Sequence, residues 1–205
     1  LPRLAKPSHR MEYLRLIGSM FLLLRDNRIL QVRGALALLM FAALNIFWSA
    51  MVLPLSEAPY LLSHTAIGAF GLVGAAGALS AARAGHWADR GFTQATTFGA
   101  LVLLAVAWLP LFFLGTSLWA LVLGIVLLDL GGQAIHVTNQ SMIFRSQSDG
   151  HSRVVAAYML FYAAGSGLGA LATTAAYAAF GWTGVCLLGA GVSLLALGVW
   201  AVTLR

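Results

Sequence analysis

The chain has 205 residues, 60% of them hydrophobic and only 9% charged, and its mean hydropathy is +0.89. Soluble domains carry about 25% charged residues. Twelve Lys and Arg with six Asp and Glu cannot cover a soluble globule of this size, so the chain reads as an all-α integral membrane protein with the bilayer as its solvent. The net charge of +6 is therefore a statement about orientation across a membrane rather than about nucleic acid, and no nucleic-acid partner is expected.

Residues 1–33 form a basic lead-in with Arg3, Lys6, Arg10, Arg15, Arg25, Arg28 and Arg33 against Glu12 and Asp26. Leu14, Ile17, Phe21 and Leu24 recur within it at spacings of three and four. That pattern fits an amphipathic helix on an anionic leaflet, with a plain cytoplasmic linker as the alternative. Leu1 in place of Met hints at a piece of a longer protein. The lead-in is too long and too basic for a signal peptide.

Residues 34–205 read as a six-helix transmembrane bundle, with spans at about 35–55, 65–82, 95–114, 118–143, 154–180 and 184–202. Pro54 and Pro59 mark the outer end of the first span. Six spans put both termini on one side. The seven N-terminal positives, Arg83, Arg90, Arg145, Arg153 and Arg205 then share that side, and the opposite loops hold Glu57 and His64 but no Lys or Arg. The positive-inside rule makes the shared side cytoplasmic, whereas one span more or fewer scatters the charges.

Inside the apolar spans the strongest signal is Asp129, Gln133, His136 and Gln140. Their spacing of i, i+4, i+7 and i+11 lays four polar side chains along one helix face, with Asn139 beside it. Lipid does not tolerate such a face cheaply, so it points into the bundle or a watery cavity. Asp129 near mid-span is a candidate proton, ion or substrate group, the alternative being a hydrogen-bond network between helices. His136 suits titration near neutrality or a packing role. Asn45 and Ser49 share a face in the first span with Trp48 alongside, a mixture that suits a ligand wall or interhelical glue.

Gly68, Gly71, Gly74 and Gly77, and later Gly165, Gly167 and Gly169, give two spans small faces for close helix packing. Cys186 is the lone cysteine, which excludes an intrachain disulfide or thiolate metal cluster, and no metal or cofactor is expected. Catalytic residues are not expected either. Ser166 and His136 lie at different depths, which argues against a serine–histidine protease, and Asp129 has no second central carboxylate. No filter sequence or charge ring suggests a channel. A structural or assembly protein remains the rival to a transporter.

The segment Gly85-His86-Trp87-Ala88-Asp89-Arg90-Gly91 is more specific. Gly85 permits a tight helix exit, and Asp89 with Arg90 suits a charged cluster that closes one conformation. With this turn in place, the chain resembles the C-terminal six-helix half of a major facilitator superfamily transporter of the bacterial efflux type. Gly85, Ala88, Asp89, Arg90 and Gly91 match that family's loop motif, while Thr93 and Gln94 stand where its further positives fall. The region from Asn45 to Trp48 looks like the seventh helix of such exporters, and Asp129–Gln140 and Tyr158–Gly169 like the tenth and eleventh.

The resemblance implies alternating-access transport of a small molecule, with efflux coupled to protons. Asn45, Trp48, Ser49, Asp129, Gln133, His136 and Gln140 would form the pathway, and Gly85, Asp89, Arg90 and Gly91 the cytoplasmic gate. It further implies a multi-pass place in the bacterial inner membrane, both termini of this segment cytoplasmic, and six helices missing before Leu1.

Overall fold

Asn27 opens the first long helix, α1 (Arg28–Ala50), by accepting the Leu30 amide proton on its side-chain oxygen at 2.9 Å. This satisfies one of the free N–H groups of a helix start. The computed structural model describes residue 18 and residues 22–80, 82–145 and 151–204, with the backbone alone at Ser80, residues 82–84, Ala88, Asp89 and His151. Most of the lead-in read as an interfacial helix lies outside the described residues. Residues 22–26 are helical, and Arg28 to Arg33 already belong to α1 rather than to a linker.

A short helix α2 (Val52–Ser56) extends α1, with Pro54 in its first turn, where a missing N–H costs nothing. After a loop come α3 (His64–Ser80) and α4 (Ala82–Trp87), then a π-helical turn over Ala88–Phe92. The stretch expected as a tight polar turn is thus largely helical, and the path bends at Gly91, whose φ of 94° suits a residue without Cβ. Next follow α5 (Thr93–Val106) and α6 (Trp108–Phe112), ending in a 3₁₀ turn at Phe113–Gly115. Pro110 cannot donate back to Val106, which accounts for the break at Ala107. The last two helices are α7 (Leu118–Arg145) and α8 (His151–Thr203).

Every described element is helical. Four stretches are long and apolar enough to cross a membrane: Arg28–Ser56, Arg90–Gly115, Leu118–Arg145 and Ser152–Thr203. The sequence reading expected six, and the two counts differ at two places. His64–Leu79 is apolar but short, and the last two expected spans run together as the 53 residues of α8.

At 1.5 Å per residue a straight helix of that length would reach ~80 Å, against ~30 Å of hydrocarbon. Gly181, with φ 60° and ψ −151°, breaks it. Before the break, Phe161 lies against Gly34, Gly165 against the Leu38 carbonyl and Gly169 against the Ala42 carbonyl. Thr173 Oγ1 donates to the Ile46 carbonyl at 3.0 Å, again 127 positions away. A constant offset means that this arm runs parallel to α1. After the break the Trp182 indole donates to the Leu111 carbonyl at 2.8 Å, and Trp108 donates to Ser193 Oγ at 3.0 Å. Trp200 and Thr203 then share a cavity with Arg28 and Arg33, so the second arm has returned to the end where α1 began.

The core sits around α1, where Leu30, Ala37, Met40, Leu44 and Phe47 are buried at helical spacing. α7 packs against it and carries α3 and α5 on its other sides. Glycines mark the nearest approaches. A Cβ on Gly77 would meet the Val126 carbonyl oxygen at 2.9 Å, and one on Gly131 the Ala100 carbonyl oxygen at 2.9 Å. In lipid, where no hydrophobic drive brings helices together, such backbone approach supplies the packing.

Candidate functional site

Asp129 lies midway along α7 and is 8% exposed. Its neighbour is the glycine face of α3. A side chain begun at Gly74 would meet Asp129 Oδ2 at 2.9 Å and Trp48 Cζ2 of α1 at 2.8 Å, so α1, α3 and α7 converge on the carboxylate. Among the described residues Oδ2 has no hydrogen bond of normal geometry, and the Trp48 indole stands beside it as a poorly placed donor. A buried carboxylate left in this way is costly as an anion. It is suited to take up a proton or to meet a cation.

Asn45, one turn below Trp48, donates from Nδ2 to the Phe41 carbonyl at 2.9 Å and to Ser166 Oγ at 3.0 Å. This ties α1 to the first arm of α8. Phe41 stands edge-on to Tyr162 (centroids 4.0 Å apart) and to His136 (5.3 Å). His136 Nδ1 is 3.0 Å from the Tyr158 hydroxyl. Asn45 and Phe41 of α1, His136 of α7 and Tyr158, Tyr162 and Ser166 of α8 thus form a mixed amide and aromatic cluster, while Trp48 stands apart beside Gly74. Ser166 belongs with Asn45 and His136 with Tyr158, so the two are not joined. Gln133 and Gln140 are half-buried and Ser49 is exposed.

A second polar cluster includes a residue the sequence reading left in the lead-in. Arg33 is 3% exposed. Its Nη1 donates to Thr97 Oγ1 at 2.9 Å and to Asn139 Oδ1 at 3.3 Å, and Asn139 Nδ2 donates back to the Arg33 carbonyl at 3.2 Å. α1, α5 and α7 are thereby cross-linked. Arg33 follows Leu30 by three residues and precedes Ala37 by four, a spacing that already puts it on the buried stripe of α1. Thr97 and Tyr158 were also missed, and Ser166 was weighed only as a protease nucleophile, because single hydroxyls in apolar runs carry no spacing signal.

In the loop region a Cβ on Gly85 would meet Val137 Cγ1 at 2.9 Å, so α4 lies close on α7. Arg90 and Gly91 are exposed, and the Asp89 side chain lies outside what is described. Arg90 also borders an apolar groove of about 870 Å³ between α5 and α7, lined by Phe92, Gly99, Leu103 and Leu130 among others. Asp129 and the other pathway candidates do not line it. Among the described residues no group of His, Cys, Asp and Glu is arranged to hold a metal.

No protein-family model matches the chain. It is 42% identical over 200 residues, 98% of its length, to proteins of two Escherichia coli strains named as uncharacterized transporter YgaY and putative uncharacterized transporter YgaY. It is also 33% identical over 149 residues, 72% of its length, to a protein of Streptomyces coelicolor named probable transporter SCO4007. The chain spans half the length of the YgaY proteins and 34% of SCO4007.

Proposed function

We propose that this chain forms the C-terminal half of a twelve-helix secondary transporter of the major facilitator superfamily, which exports a small molecule in exchange for protons by alternating access. The six passes are α1 with α2, α3 with α4, α5 with α6, α7, and the two arms of α8. The protein lies in the bacterial inner membrane with both ends of this segment cytoplasmic. Relatives of twice its length that carry transporter names support the reading, and so does the one-sided placement of its positive charges. The partner half precedes Leu1 in the same full-length chain.

One observation carries the reading: Asp129 is buried at mid-helix, with Oδ2 lacking a hydrogen bond of normal geometry among the described residues and the glycine face of α3 against it. Protonation removes the cost of burying its charge and favours the closed packing of α3 on α7. Loss of the proton favours hydration and opening. The differential cost in the two states is what lets a proton gradient bias the equilibrium. Trp48, Asn45 and Ser49 line the cavity shared with the other half, while Gln133, His136 and Gln140 continue the pathway along α7. Gly85, Asp89, Arg90 and Gly91 act at the cytoplasmic gate.

The test is accumulation of ethidium, a lipophilic cation of the kind a buried carboxylate favours, by everted vesicles that carry the full-length protein, with and without a pH gradient. Gradient-dependent movement that Asp129→Asn abolishes supports the proposal. Movement unchanged by that substitution would mean that the polar stripe serves packing alone, as in a structural or assembly protein.

A further inference from the structure

Arg33 lines a cavity of about 200 Å³ at the end of the bundle where α1 and α5 start and α7 and α8 finish. Arg28, Gln94 and Trp200 line it as well, and no acidic side chain among the described residues does. We propose that it binds a phosphate group of net negative charge, supplied by the headgroup of an anionic phospholipid.

Four features argue for this occupant. Arg33 is almost fully buried yet pairs with no carboxylate among the described residues. Among the described residues its side-chain hydrogen bonds leave from Nη1 alone, to neutral acceptors, whereas a guanidinium carries five N–H donors. Gln94 accepts the Trp200 indole N–H on Oε1 at 3.0 Å. Since indole only donates, the Gln94 amide nitrogen is left as a further donor. Arg28 adds a second cation at the mouth. The Thr203 hydroxyl turns back to the Val199 and Trp200 carbonyls at 2.8 and 3.0 Å and stays out of the site.

Size and position select the source. The space admits a phosphate and part of a glycerol but no whole lipid. Exposed Ile29 and Leu204 flank it and offer apolar surface to the start of the acyl chains. Basic pockets between the ends of membrane helices hold anionic headgroups at this depth. The site is independent of the transport reading and survives its failure.

The test is native mass spectrometry of the full-length protein in detergent, titrated with phosphatidylglycerol, phosphatidylcholine and soluble glycerol 3-phosphate. Phosphatidylglycerol should bind at least about tenfold tighter than phosphatidylcholine. Arg28→Gln should weaken it about fivefold, the effect of losing one interfacial cation, and Gln94→Leu should weaken it too. Both changes lie outside the buried Arg33 network, so folding should persist, and Arg33→Lys tests the guanidinium fork itself. Equal binding of the two lipids, or affinity untouched by all three substitutions, overturns the proposal. Glycerol 3-phosphate binding as tightly as phosphatidylglycerol keeps the phosphate site but overturns the lipid as its source.

Discussion

Arg33 and Asn139, 106 positions apart, hold each other twice: guanidinium to side-chain oxygen at 3.3 Å, and side-chain amide back to the Arg33 carbonyl at 3.2 Å. The pair joins the start of α1 to the end of α7 and holds a cation among apolar helices, where such a group faces the bundle interior or a polar cavity. Removing Asn139 leaves the buried guanidinium with Thr97 as its remaining side-chain partner. Asn139→Leu should therefore destabilise the protein by about 2 kcal/mol, the range for a hydrogen bond to a charged group. Thermal unfolding in detergent measures this. Arg33→Gln combined with Asn139→Leu should cost less than the sum of the two, as for residues in one network.

The parallel seam between α1 and the first arm of α8 makes a sharper test, because its glycines differ. Ala at Gly169 would place a methyl 2.5 Å from the Ala42 carbonyl oxygen, and Ala at Gly165 would collide with the Leu38 carbonyl. Backbone cannot rotate out of the way, so each should cost about 1–3 kcal/mol. Gly167 has nothing within 4 Å of its Cβ position. Gly167→Ala should be neutral or stabilise by up to about 1 kcal/mol, the ordinary gain of Ala over Gly in a helix. Melting temperatures that rank the three variants otherwise would contradict the seam.

Those glycines also show how far the sequence could be read. Small faces on two helices were legible because Gly and Ala recur at helical spacing, and Asp129 stood out because a carboxylate in an apolar run is rare. The partners were not legible. Nothing in the sequence says that Gly74 faces Asp129 and Trp48, or that Asn45 faces Ser166, since these contacts depend on which helices become neighbours. Arg33 was hidden for a different reason: a seventh basic residue after six others reads as more of the same lead-in, although its spacing from Leu30 and Ala37 fits the buried stripe. The run from 151 to 203 was expected as two spans, and the chain path bends at Gly181, whose φ and ψ are non-helical.

Gly74 lets α3 approach both Trp48 and Asp129. Gly74→Ala should displace the carboxylate or the indole and reduce ethidium efflux by the full-length protein about tenfold, equivalent to ~1.4 kcal/mol. Gly71→Ala serves as control, since its Cβ position is open, and should leave efflux unchanged. Equal effects at the two positions would separate the glycine face from function.

Trp48→Phe keeps an aromatic ring beside Asp129 but removes the indole N–H. If Trp48 shapes the cavity wall through its ring, the variant should fold normally and bind ethidium within about threefold of the parent, whereas Trp48→Ala should weaken binding by about tenfold or more. Fluorescence titration of ethidium with the purified full-length protein reads both.

The central claim is that Asp129 carries the coupling proton, and the most direct measurement is proton movement itself. Full-length protein in liposomes loaded with a pH-sensitive dye receives external ethidium, and internal pH is followed for the parent and for Asp129→Asn, which keeps the shape of the side chain and removes its charge. The account predicts ethidium-dependent proton flux in the parent, flux at least about tenfold lower in Asp129→Asn, and similar melting temperatures for both. Undiminished flux in a folded Asp129→Asn protein would contradict it.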